Sequence, residues 1–167
     1  MGAGGRNAHC RSLQTPGVLT FPHATLDQSL RDTIAVMPTY HFECVVTPQY
    51  LPDQSDPAQD RFAFAYTVTI TNRGRVGAQL ISRHWVIVDG RGHTEEVKGL
   101  GVVGQQPLLK PGEAFEYTSG AVIRTPLGSM RGSYFCVAED GTRFEADIPV
   151  FALMADNGPA DVSRLLH

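Results

Sequence analysis

Long apolar runs, paired cysteines and a dominant sign of charge are all missing from this sequence, and each absence closes off a class of protein. The 167 residues carry 14 basic and 17 acidic side chains, a net charge of −3. No Lys/Arg run stands out, so neither nucleic acid nor an anionic membrane is an expected partner. No apolar stretch approaches the roughly 20 residues that a membrane helix needs, so the chain is not expected to be membrane-embedded. Arg6 and Arg11 are not followed by an apolar h-region, because Val18-Leu19-Thr20-Phe21 stops at Pro22. A secretory signal is therefore not expected. Cysteine is scarce: Cys10, Cys44 and Cys136 lie far apart, and no C-x-x-C occurs. The expectation is reduced thiols in a cytoplasmic protein. A Cys44–Cys136 bridge would require two strands that face each other.

What is present is enough to fold. The chain is 42% hydrophobic and 19% charged, a composition that buries a core at the size of one domain. Residues 1–37 differ in texture from the rest: Gly-, Arg- and Ser-rich at first, then a single helical signal. Thr25 and Gln28 have capping-box spacing, and Leu26, Leu30 and Ile34 recur every fourth residue up to a stop at Pro38. One short stripe is marginal alone. Residues 1–37 are read as an N-terminal extension that contributes little to stability, with Met37 a candidate initiator. Residues 38–155 are the domain and 156–167 a C-terminal tail.

From Tyr40 onward, short alternating runs are separated by turn residues. In residues 62–71, Phe62, Phe64, Tyr66, Val68 and Ile70 share one face of a period-two pattern. In residues 143–150, Phe144, Ala146, Ile148 and Val150 do the same. Residues 42–51, 79–89, 93–98, 113–120 and 133–138 are further strand candidates. Asp140-Gly141 predicts a type I′ hairpin, and Asp89-Gly90-Arg91-Gly92 and Pro111-Gly112 mark other turns. The sum is an all-β antiparallel sandwich of about seven or eight strands. Phe64, Tyr66, Val68, Ile70, Phe144, Ile148 and Val150 are its expected core. The run 79–89 is apolar on both faces in places and reads as a central strand. Burying Trp85 would also turn Arg83 inward unless a bulge shifts the register, so the side that holds Trp85 stays open.

Gly99-x-Gly101-x-x-Gly104 has the spacing of a dinucleotide-binding turn, but that turn must open a helix inside a βαβ unit. Here Pro107 and Pro111-Gly112 leave no room for a regular helix. The preferred reading is a non-helical loop between two strands with at least one glycine at positive φ. A binding function would use its backbone N–H groups toward an anion or a partner chain. His84 and His93 flank a hairpin near Asp89 and Glu95, but no paired metal-ligand spacing appears, and exposed histidines are the plainer reading. Ser119 lacks a nucleophile-elbow context, Cys44 and Cys136 sit in apolar strands, and Glu95 and Glu96 read as surface carboxylates. No catalytic residue, metal ligand or cofactor is assigned.

Several segments recur in order as they do in one known family. They are Ser82-Arg83-His84-Trp85, Asp89-Gly90, Gly99-x-Gly101-Val102-Val103-Gly104-x-Gln106-Pro107, Pro111-Gly112-Glu113-x-Phe115-x-Tyr117-Thr118-Ser119-Gly120 and Gly128-Ser129-Met130-x-Gly132-x-Tyr134. Over residues 40–153 the chain resembles ApaG proteins; the first 37 residues are outside that pattern. The resemblance implies a fibronectin type III-like, immunoglobulin-like sandwich and no established enzymatic activity. It also implies a genetic association with cobalt resistance and magnesium efflux, and a gene often neighbouring a diadenosine tetraphosphate hydrolase. Relatives in F-box proteins and in a DNA polymerase delta interacting protein imply protein recognition. The leading expectation is a protein-binding module that uses Gly99, Gly101, Gly104 and Gln106 with Arg83 and His84. The alternatives are a binder of a small anion such as a nucleotide polyphosphate, and a soluble metal-responsive regulator of cation transport. A phosphate-ester hydrolase is the least favoured.

Overall fold

The alternating runs become strands because β-branched and aromatic side chains at every second position bury one face of an extended chain. The computed structural model describes residues 37–155. The stripe at Leu26, Leu30 and Ile34, Cys10 and the tail 156–167 lie outside the described residues. Eight strands follow in order: β1 (Phe42–Tyr50), β2 (Phe62–Asn72), β3 (Ala78–Asp89), β4 (Thr94–Leu100), β5 (Leu108–Leu109), β6 (Ala114–Ile123), β7 (Leu127–Ala138) and β8 (Arg143–Met154). All pairings are antiparallel. One sheet has the order β1-β2-β6 and the other β4-β3-β7-β8, with β5 continuing along the β4 edge of β3. This is the expected all-β sandwich.

The two sheets meet through aromatic rings. Tyr66 of β2 packs edge-on against Trp85 of β3 with centroids 5.2 Å apart, and Phe151 of β8 lies 6.2 Å from Tyr66. The hydroxyls of Tyr117 and Tyr134 share a hydrogen bond of 2.5 Å between β6 and β7. Phe64, Tyr66, Val68, Ile70 and Ile148 are buried as expected. Truncating Ile70 to Ala is expected to cost about 2–5 kcal/mol. Phe144 is half-buried against Tyr40 and Phe42.

Val150 is a correction: it is 68% exposed. Gly132 pairs with Ile148 while Met130 pairs with Phe151, so Pro149 and Val150 together oppose Arg131. This β-bulge, at a proline that cannot donate to the ladder, flips the parity of the strand. Phe151 and Leu153 turn inward instead.

A second bulge settles Trp85. The register of β3 on β7 shifts between Leu80 and Ser82, so Leu80 and Trp85 both face the core although they are five positions apart, a spacing that would put them on opposite faces of a regular strand. Trp85 is 2% exposed. Its cross-strand neighbour is Gly132, where a Cβ would stand 2.2 Å from the His84 carbonyl oxygen and 3.1 Å from the indole. Arg83 shares the inward parity of Trp85.

The Asp140-Gly141 turn is also a correction. Gly141 has φ +85°, but Asp140 is not at positive φ. The N–H of Ala138 donates to Thr142 and that of Gly141 to Ala138. This is a three-residue hairpin closed by a left-handed glycine rather than a type I′ turn.

Candidate functional site: a groove on the outer face of the larger sheet

Residues that alternate with the core positions of β3, β4, β7 and β8 face away from the sandwich. Leu100, Ser82, Phe135 and Glu145 are successive cross-strand neighbours in one row, and Lys98, His84 and Ser133 continue into the next. Small Ser82 and Ser133 lie between larger neighbours. The result is a groove of about 500 Å³ lined by Ser82, Arg83, His84, Lys98, Gly99, Leu100, Ser133, Phe135 and Glu145. One wall is charged. His84 Nε2 lies 2.8 Å from Glu96 Oε2, and Lys98 Nζ lies 3.7 Å from the same oxygen. The His84 hydrogen bond and then the Lys98 charge hold the Glu96 carboxyl below the usual carboxylate range.

The glycine motif leaves β4 at the upper end of this groove. Val102 and Gln105 exchange N–H···O bonds of 2.8 and 2.9 Å around Val103 and Gly104. Val103 has φ +44° and Gly104 φ +78°, the two positive values of a type I′ turn. No helix follows, and Gly101 is also left-handed, at φ +58°. A non-helical glycine loop between strands is therefore what the sequence makes. Arg83 Nη1 donates to the Leu100 and Gly101 carbonyls at 3.0 and 2.8 Å. Gly101 N–H donates to Ile81, and Gln106 Nε2 reaches the same carbonyl. The amides of Gly101, Val102 and Gln105 are thus spent within the fold, and an anion cradle built on those three is not available.

Of the residues singled out in the sequence, Arg83, His84 and Gly99 line the groove. Gly101, Gly104 and Gln106 shape the adjoining loop instead. Ser82, Lys98, Leu100, Ser133, Phe135 and Glu145 were missed. Their signal, outward parity on neighbouring strands, becomes readable only with the register. The loop carries exposed apolar side chains: Leu100 is 75% exposed and Val103 54%. Leu108, 49% exposed, lies on β5 opposite Gln79, the next outward position of β3 beyond the Ser82 bulge.

Neither Cys44 nor Cys136 opens onto this surface. Cys44 and Cys136 are free and buried, and burial pushes both thiols up to about 12. Burial also pushes Tyr117 and Tyr134 up. Among the described residues no group of three His, Cys, Asp or Glu converges as a metal site would require. No helix among them is long and apolar enough to cross a membrane.

Fold and site together define a small β-sandwich domain whose distinguishing surface is an open groove beside a hydrogen-bonded glycine hairpin. The family model of the ApaG domain matches residues 52–138. Protein ApaG of an Acidovorax strain is 62% identical over 137 residues, which cover 78% of this chain and all of that protein. Protein ApaG of Ralstonia nicotianae is 65% identical over 131 residues, again 78% of this chain and all of the relative. The crystal structure of a Bordetella pertussis protein described as ApaA superposes with a TM-score of 0.70 at 56% identity, covering 72% of this chain and 98% of that one. The chain belongs to the ApaG family.

Proposed function

We propose that this chain is a non-catalytic protein-recognition module. A partner segment enters the groove over Ser82 and packs on Leu100, Val103 and Leu108. The observation that carries this reading is the contrast between side chains and backbone in the glycine loop. Its apolar side chains are exposed, while Arg83 and the type I′ turn hold the backbone that presents them. An apolar anchor surface with little left to order on binding suits recognition. Phe135 supplies an aromatic wall, and Lys98, His84 and Glu145 supply polar contacts at the rim, the distribution that protein interfaces use. A role in cobalt resistance or magnesium efflux would then run through the partner rather than through metal binding by this chain.

The test is affinity capture from the native host with the full chain and with Ser82→Trp and Leu100→Glu. Both variants are expected to lose the same captured proteins while melting near the parent temperature. Recovery of the same partners by both variants would remove the groove from the account. A second reading, a small anion held by Lys98 and His84, is favoured only by their shared wall. Calorimetric titration with pyrophosphate, ATP and diadenosine tetraphosphate separates the two, since the recognition reading predicts no heat from any of them.

A further inference from the structure

The four edges of the sandwich are not protected alike. The outer strands of a sheet leave a row of backbone N–H and C=O groups unpaired, and proteins guard them with charge, proline or bulges. β1 carries Glu43 and Pro48 and runs alongside β8. β8 carries Arg143, Glu145, Asp147 and Pro149 and is bulged. β4 carries Glu95, Glu96 and Lys98. β6 differs. From Tyr117 to Ile123 it has no charge and no proline, and its register on β2 runs unbroken from Ala114 to Ile123. Among the described residues, β2 is its only strand neighbour.

We infer that β6 is a self-association edge, at which a second copy of this chain adds its own β6 antiparallel across a two-fold axis at Gly120. The strand places its charges symmetrically about that glycine. In that register Thr118 faces Val122 and Tyr117 faces Ile123. Glu116 faces Arg124 of the second copy, and Arg124 faces Glu116, so two opposite-charge pairs close the ends of an uncharged ladder. Only a copy of the same strand meets both charges in this way. Glu116 and Arg124 are exposed, and Arg124 makes no ion pair among the described residues. Val122, 46% exposed, offers an apolar contact on the outer face. The union is isologous and joins two three-stranded sheets into one of six strands. It rests on different residues from the groove and stands without that reading.

Sedimentation velocity on the full chain, up to sub-millimolar concentration, tests the inference. A concentration-dependent dimer is expected. Glu116→Arg alone and Arg124→Glu alone each set like charges opposite one another twice, and each is expected to weaken dimerisation roughly tenfold. The double variant Glu116→Arg/Arg124→Glu restores both pairs and is expected to return near the parent constant. Because Glu116 accepts a hydrogen bond from Thr69, a thermal melt of each variant accompanies the series, and Arg124→Glu carries the test if Glu116→Arg is poorly folded. A chain that stays monomeric overturns the inference. So does a dimer indifferent to Arg124→Glu, or a double variant of two well-folded singles that fails to recover.

Discussion

The guanidinium of Arg83 lies against the bare α-carbon of Gly99, its cross-strand neighbour. A Cβ at position 99 would stand 3.0 Å from both terminal nitrogens. From there Nη1 reaches the carbonyls of Leu100 and Gly101. The first glycine of the motif therefore makes room for a side chain of this protein rather than for a phosphate. The arginine it admits fixes the second glycine.

The three glycines then predict three different costs. At Gly101 an added Cβ meets the Gln105 carbonyl oxygen at 2.3 Å in a left-handed backbone, so Gly101→Ala is expected to lose about 1–3 kcal/mol. Gly104 is left-handed but opens on empty space, and Gly104→Ala loses about 1 kcal/mol. Gly99→Ala displaces only the flexible end of Arg83 and loses about 1 kcal/mol of hydrogen bonding. Urea unfolding ranks the series; a Gly104→Ala cost above that of Gly101→Ala contradicts the geometry.

Val103 is a β-branched residue at positive φ, a conformation that suits glycine or asparagine. Val103→Gly is expected to stabilise the fold by about 1 kcal/mol and to weaken partner capture, because the exposed side chain is what the strain serves. A variant less stable than the parent shows that the turn is not strained.

Both buried thiols hold their protons up to about 12. In the unfolded chain they ionise near the ordinary value of about 8.5. Between those values the native state binds more protons, so stability falls as pH rises through that window and is fully present below it. Cys136→Ala is expected to lower stability at neutral pH and to flatten this alkaline slope. Chemical denaturation across the window measures it, and an unchanged slope is the contrary result.

Glu96 owes its depressed pKa first to His84. Its favourable contribution is present above the unfolded carboxylate value and lost as pH falls through the folded one. His84→Ala is expected to raise the Glu96 midpoint toward the ordinary range, read by NMR of the side-chain carboxyl carbon. A midpoint that does not move assigns the shift to Lys98 instead.

The strands were legible because half-buried sheets write their inward face at every second residue, as from Phe62 to Ile70. Two bulges were not. Nothing local distinguishes Ile81 as an extra residue, and Pro149 signals one only once its strand is known to pair with β7 both before and after it. The exposure of Val150 and the burial of Trp85 both depend on those bulges. The groove was half legible. Arg83, His84 and Gly99 stood inside a motif, but Ser82, Ser133 and Phe135 come together only through the register of β3 on β7. The type I′ turn sits at Val103-Gly104, where valine hides the usual Asn-Gly or Asp-Gly signal. The obvious Asp140-Gly141 adopts another turn.

The most direct measurement of the recognition account is chemical-shift mapping of the full chain titrated with a protein captured from the host. The account predicts that the largest shifts fall on Ser82, His84, Leu100, Val103 and Phe135, and that Ser82→Trp abolishes them in a folded protein. Shifts concentrated on β6 or at the opposite end of the sandwich, with the groove residues unmoved, contradict it.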